Sequence, residues 1–487
     1  MSISTAVANA NSGLSAASRR ADLVSGNIAN ALTPGYARRE ISVSEQIVGG
    51  GGAGVSVDGV NRAADPVLTG ERRIADGAVG RDQALASAYA DFSSALGEID
   101  EPFSLFGRYQ NLETLLRNFA ETPESTTLQS QVLLAAKDIS RTFGQLSGLV
   151  QETRQNADAQ IARDVDFVNT SLKKVEALNT SIAKALANGR DSAALEDQRK
   201  ALVDKISVII PVRELPRDGG RVDLITSEGV FLLAGSVREI TFTQTGVITA
   251  GMQYAGGTGV LSGIQIDGVD ITPGGSGGLT PKQGSIAGAF AVRDSIAPEF
   301  QAQLDSLARD LIERFTDIDS TLPAGAPGLF TDAGAAFDPT METGLAGRLS
   351  VNAAVDPGQG GAVWRLRDGF GAAVEGPAGA AGFIQTMLDS LRAPQPLSAG
   401  SALAGRHSAV EAAAGVASHI GAARVAAESS LAGANARAEA VADAEAAVTG
   451  VDTDQEMQKL LLIEQAFAAN ARVIQTAQQM MQTLMEL

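Results

Sequence analysis

Ser25-Gly26-Asn27-Ile28-Ala29-Asn30, followed by Thr33-Pro34-Gly35-Tyr36, closes a patterned helix at the start of the chain. Upstream, apolar or small residues fall at Ile3, Val7, Ala10, Leu14, Ala17, Ala21, Val24 and Ile28. Spacing that alternates between four and three is a heptad seam, the mark of a helix that packs along another helix. Thr33-Pro34 ends it, because proline lacks an N–H and its ring pushes the preceding residue out of the α region. Pro34-Gly35 suits the centre of a type II turn, whose second central residue needs positive φ. Tyr36 follows as an amphipathic anchor. Asn27 and Asn30 lie in the last turn, where their amides reach exposed carbonyls or a neighbour. Gly26 removes a Cβ and permits close approach. An isolated helix of this length is marginal in water, so the seam is expected to order when something covers it.

The other end repeats the pattern. From Thr453 onward, Leu460, Ile463, Phe467, Asn470, Ile474, Ala477, Met481 and Leu484 again follow three-four spacing, with one polar break. Residues 1–39 carry Arg19, Arg20, Arg38 and Arg39 against Asp22, a net charge of +3. Residues 449–487 carry five carboxylates against Lys459 and Arg472, a net of −3. Opposite charge on two apolar-seamed helices favours their pairing with each other over self-pairing of either.

Between the ends the texture changes twice. Alternating Ile41, Val43, Val55 and Val57, interrupted by Gly49–Gly52, reads as short β or loop. Helices are expected over about 69–96, 103–120, 125–187 and 192–206. The third carries Ile161, Val165, Val168, Leu172, Val175, Asn179, Ile182 and Leu186 on one seam. From Ser207 to about residue 280, β-branched segments are separated by turn pairs such as Asp218-Gly219, Glu228-Gly229 and Asp267-Gly268. Helix resumes over about 284–318, with Leu304, Leu307, Leu311 and Phe315 on one face, and again over about 403–447. The expected domains are an inner N-terminal heptad helix (1–36), a helical bundle in two parts (37–206 and 284–448, with an irregular segment at 321–380), an inserted β domain (207–283) and a C-terminal heptad helix (449–487). The fold class is α+β: a long-helix coiled-coil bundle built from both chain ends, with a small inserted β domain.

Composition narrows the function. The chain has 487 residues and a formal charge of −18, against the basic face that nucleic acid or anionic lipid requires. It has no Cys, which removes thiolate nucleophiles and cysteine-based zinc sites. No basic segment precedes an apolar run at the start, so no cleavable signal peptide is expected, and no apolar stretch is long enough to span a membrane. Gly274-Gly275-Ser276-Gly277-Gly278 matches the nucleophile-elbow spacing but lacks the strand before and helix after that would expose a strained Ser. His407 and His419 lack companions for a metal set. Gly49–Gly52 and Gly54 lack the Lys of a phosphate loop, and Gly257-Thr258-Gly259 lacks the third Gly of a dinucleotide turn. No catalytic residue, cofactor or metal site is expected.

Ser12-Gly13-Leu14, Ala16-Ala17, Ser25–Asn30 and Thr33–Tyr36 closely resemble the N-terminal signature of bacterial flagellar axial proteins. Gly450-Val451-Asp452, Glu456-Met457, Glu464–Phe467, Ala469–Ile474 and Met480-Met481 resemble their other terminal signature. Within that family the best match is the component at the hook–filament junction, on the long helical region, the inserted β segment and Gly328-Leu329-Phe330-Thr331. Leu32 stands where the family often has Asn, and Arg39 where it often has Gln. The resemblance implies a structural, non-enzymatic protein of the bacterial flagellum, secreted to the extracellular side by type III export. It implies partners in copies of itself in a ring or tube, the hook protein, the filament-side junction protein and an export chaperone. The expected assembly residues are Ile3, Val7, Leu14, Val24 and Ile28 on one seam, and Leu460, Ile463, Phe467, Ile474, Met481 and Leu484 on the other. Asn27, Asn30, Pro34, Gly35 and Tyr36 are expected to shape the turn. A hook or distal rod component, or an exported wall-degrading enzyme, are the competing readings.

Overall fold

The computed structural model describes residues 3–33, 35–48, 51–254, 259–275, 278–316, 318–398, 400 and 402–486. Pro34, Gly49, Gly50, Gly257, Thr258, Ser276 and Gly277 lie outside them. Along the chain run α1 (Ile3–Ala29), a hairpin of β1 (Arg39–Val48) and β2 (Gly51–Arg62), then α2 (Pro66–Leu96), α3 (Leu105–Glu121), α4 (Thr126–Ala187) and α5 (Ala193–Ile209). There follow β3 (Val212–Arg217), β4 (Arg221–Thr226), β5 (Phe231–Ala234), β6 (Ser236–Val237), β7 (Ile240–Thr241), β8 (Gln265–Ile266) and β9 (Val269–Asp270). After α6 (Ser285–Ala291), one π-helical turn at Val292–Ile296 leads into α7 (Ala297–Thr316). Short pieces come next: β10 (Phe330–Asp332), α8 (Leu345–Arg348), β11 (Leu349–Val351), α9 (Arg365–Asp368), α10 (Gly382–Arg392), β12 (Gln395–Pro396) and β13 (Arg406–His407). The long α11 (Ala409–Thr449) and α12 (Thr453–Met485) complete the chain.

The chain divides into two compact units: residues 1–78, 167–239 and 434–487 form one, and 79–166 with 240–433 the other. Strands expected to form one β domain over 207–283 fall into two antiparallel sheets, β3-β4-β5-β6 in the first unit and β7-β8-β9 in the second. Side chains explain the division. In the first unit Asn179 of α4 binds both backbone groups of Val222, donating to its carbonyl at 2.8 Å and accepting from its N–H at 3.2 Å. Arg199 of α5 donates to the Asn179 side-chain oxygen and to the Gly220 carbonyl. The polar break in the α4 seam is thus a clamp on β4. In the second unit Arg293, wholly buried, pairs with buried Asp158 of α4 at 2.6 Å and donates to the Ser262 carbonyl. Asp158 also accepts from the Thr245 N–H. Buried charges of this kind are tolerated because every one is paired or hydrogen-bonded.

The first unit also holds an ion network. Arg72 and Arg73 of α2 and Lys200 of α5 meet Asp204, Glu214 and Glu445, with Asp76 one turn along α2. Burial pushes the Asp204 carboxyl up, but Arg73, Lys200 and Arg72 outweigh it and the net shift is down. Glu445 behaves alike, burial being outweighed by Thr69, Lys200 and Arg72. For Asp76 burial wins over Arg72 and the carboxyl is raised.

The core of the second unit is apolar. Phe92 stacks on Phe300 with centroids 4.6 Å apart, and Tyr109–Phe143 and Phe315–Phe330 meet edge to face. Leu304, Leu307, Leu311 and Phe315 all point into it, as their spacing predicts. Within 321–380, Asn352 donates to the Pro327 and Gly328 carbonyls and Asp319 accepts from the Phe370 N–H. Side-chain bonds substitute there for regular secondary structure.

Candidate functional site: the paired chain ends

The two ends pack together, α1 against α12 and against the β1–β2 hairpin. They run antiparallel: Asn27 of α1 touches Glu456, and fourteen residues earlier Gly13 lies against Asn470, fourteen residues later. A Cβ on Gly13 would sit 2.9 Å from the Asn470 amide, so the glycine makes room for the polar break in the second seam. The inward line of α12 is Glu456, Ile463, Asn470 and Ala477, one residue per heptad. On α1, Ala10, Ala17 and Val24 are buried. Small residues let the helix approach both neighbours closely.

The hairpin is longer and more regular than its interrupted pattern suggests, with Arg39 opposite Arg62 and Val48 opposite Gly51. Register shifts after Ser42 and Glu45 keep the strands paired despite the glycines. Ser12 of α1 accepts from the Val55 N–H at 3.0 Å and donates to the Asn9 carbonyl. Gly54, at φ +102°, lies where a Cβ would strike the Ser12 hydroxyl at 2.1 Å.

Asn27 is the centre of the site and is fully buried. Its amide nitrogen donates to the Arg39 carbonyl and to Glu456 Oε2, both at 2.9 Å. Its oxygen accepts from the Tyr36 hydroxyl at 2.8 Å and the Arg39 N–H at 3.1 Å. All four bonding positions of the amide are therefore used. Burial raises the Tyr36 phenol above its ordinary value against the opposing pull of Arg39, so the hydroxyl keeps the proton it donates. Glu456 is 1% exposed and takes a second bond from Lys459 at 2.7 Å. Arg39 lies over the Tyr36 ring and, with Arg62, grips Asp197 of α5. Gly35 has φ +81° and the Tyr36 N–H reaches the Thr33 carbonyl at 3.1 Å, the geometry of a glycine-requiring turn. Asn30 bonds the Gly26 carbonyl.

Several expectations change here. Gly26 has open space where a Cβ would lie, so none of the described residues makes the close approach read from it. Among the described residues Arg19, Arg20, Arg38 and Arg39 form no ion pair with the C-terminal segment; Arg38 turns to Glu40 and Arg39 to Asp197. On α1, Ile3, Val7, Leu14 and Ile28 are half-buried and Val24 is buried. On α12, Leu460, Ile463 and Ile474 are half-buried, but Phe467, Met481 and Leu484 are exposed. With Leu461, Leu462, Val473 and Met480, each at least 45% exposed, they are large apolar side chains along α12 that the chain leaves open to solvent. Glu456 was missed as a contact residue. It lies seven residues before Ile463 and so extends the inward line, a signal its charge obscured.

The matches found for this chain lie in one class, the flagellar axial proteins. The family model for the flagellar hook-associated protein FlgK helical domain matches residues 90–321. The model for the flagellar basal body rod FlgEFG protein C-terminal region matches residues 447–487. Flagellar hook-associated protein 1 of Bacillus subtilis (strain 168) is 23% identical over 369 residues, covering 69% of this chain and 72% of that protein. Its counterpart in Salmonella typhimurium (strain LT2) is 27% identical over 242 residues, covering 48% of this chain and 43% of that protein. The solved structure of the flagellar hook junction protein FlgK from Burkholderia pseudomallei aligns with a TM-score of 0.42 at 18% identity, over 54% of this chain and 47% of that one. The chain is thus similar to flagellar hook-associated protein 1, a structural component of the flagellum, and the resemblance read from its terminal motifs is borne out.

Proposed function

We propose that this chain is a structural subunit at the junction between hook and filament of a bacterial flagellum, on the extracellular side. It is exported through the type III route and assembles with copies of itself in a ring or tube. Hook protein lies on one side and the filament-side junction protein on the other, with an export chaperone before assembly. The observation that carries the reading is the set of large apolar side chains exposed along α12 although that helix is already paired with α1. Apolar side chains left exposed in such number along one helix point to an interaction surface, and neighbouring copies would bury them. The seams, from Ile3 to Ile28 and from Leu460 to Leu484, supply both the pairing within a chain and the contact between chains. In the free subunit the ends are held by one shared interface and order fully once neighbours cover them, as in coupled folding and binding.

The rod-type C-terminal match supports a second reading, a hook or distal rod component. Gene deletion separates the two: loss of a junction subunit leaves hooks without filaments, whereas loss of a hook component leaves no hook. Complementing the deletion with Ile28→Asp should leave the second unit folded and abolish incorporation. Normal motility with that variant would overturn the assembly scheme.

A further inference from the structure

We infer that the Asn27–Glu456 hydrogen bond selects the register in which the two ends of the chain pair. The apolar contacts discriminate poorly. The buried seam of α1 is mostly alanine, and α12 answers with Ile463 and Ala477 on its inward line. Sliding α12 by one heptad, about 10 Å along the axis, still sets Ile463 or Ala477 against α1, although it also parts Asn470 from the space Gly13 leaves for it. The polar pair does not survive that slide. One direction brings Ile463 to Asn27 and carries Glu456 past the end of α1; the other draws the start of α12, Thr453, back to about Leu23 and leaves Asn27 beyond it. In either case a buried amide loses its carboxylate partner, and a buried donor left unsatisfied is costly. A buried polar contact in an apolar seam is a known device for fixing register. Here the turn holds Asn27 rigid: the Arg39 backbone and the Tyr36 hydroxyl occupy its remaining bonding positions, so the free N–H points one way, at Glu456. The inference concerns one chain and holds whatever the subunit assembles with.

The protein has no native Cys, so engineered disulfides report register directly. The full-length protein would carry Gly13→Cys with Asn470→Cys (native register), with Ile463→Cys or with Ala477→Cys (one heptad off either way). Each is oxidised at dilute concentration and scored as an intramolecular crosslink on a gel. Off-register pairs lie beyond the roughly 7 Å Cα separation a disulfide tolerates. With Glu456 intact the 13–470 bond should exceed both others at least about tenfold, the 1.4 kcal/mol step of a tenfold equilibrium ratio. Glu456→Leu leaves no buried charge behind and keeps the turn intact; it should keep the helices paired but bring the off-register yields to within about threefold. Glu456→Gln preserves the acceptor and should retain the native preference. The inference fails if Glu456→Leu keeps the tenfold preference, or if Gln behaves like Leu. Loss of all three crosslinks in Glu456→Leu would also overturn it, by assigning the pair to holding the helices together rather than to choosing their register.

Discussion

Replacing Asn27 by Ala removes the amide that joins both terminal signatures. Four hydrogen bonds go, and their partners fare differently. The Tyr36 hydroxyl is only partly buried and turns to water. Glu456 keeps Lys459 on one oxygen, but Oε2 and the Arg39 N–H lose their partners inside the fold. Each unsatisfied group costs about 1–3 kcal/mol, and water entering the vacated space returns part of that, so the net loss is about 2–4 kcal/mol. Because the bond to Glu456 links α1 to α12, the loss falls on their pairing. At 1.4 kcal/mol per factor of ten, hydrogen exchange at the amides of 453–485 should accelerate about 30- to 1,000-fold. Helix α4 between residues 126 and 166, in the other unit, should be unchanged and serves as the internal control. A change of less than about threefold in α12, with the control steady, would refute the assignment of Asn27 as the link.

Other consequences are open to direct measurement. Gly54→Ala forces an L side chain into φ +102° and onto Ser12; a cost of about 1–3 kcal/mol should loosen the hairpin, seen as lost protection at 51–57 with the second unit intact. Phe92→Ala empties a fully buried site against Phe300 and should cost about 3–5 kcal/mol, read by urea unfolding through the fluorescence of Trp364, the single tryptophan, which lies in the same unit. Acid should weaken the first unit through Asp204 and Glu445. Both carboxyls titrate below their ordinary values in the fold. The stability they contribute is therefore complete above the unfolded values near about pH 4 and is lost as pH falls through the folded ones. Raised Asp76 opposes this in part. Amides near residues 69–76 and 440–446 should lose protection below about pH 4, and unchanged protection there down to pH 2.5 would contradict it.

Much of this architecture is determined by local pattern. Heptad spacing is a property of a single strand of sequence, so α1, the α4 seam, α7 and α12 were legible to within a few residues. The stop at Thr33–Tyr36 was legible for the same reason, since a turn depends on the residues that make it. The terminal motifs carried the family. What pattern could not contain is which side of a helix meets which partner. Asn179 and Asn470 read as breaks in a seam, and only the fold shows Val222 and Gly13 opposite them. Arg39 looked like a cation for the C-terminal helix, yet Asp197, 158 residues away, claims it. Glu456 counted only as one of five carboxylates in the last segment, and it is buried against Asn27 across 429 residues. Periodicity is set by neighbours along the backbone, but burial and hydrogen bonding are set by neighbours in space. The chain dictated its helices and its turn; tertiary packing alone decided that the strands of 207–283 divide between two sheets in two units, and that the ends meet antiparallel with a polar pair at one end of their seam.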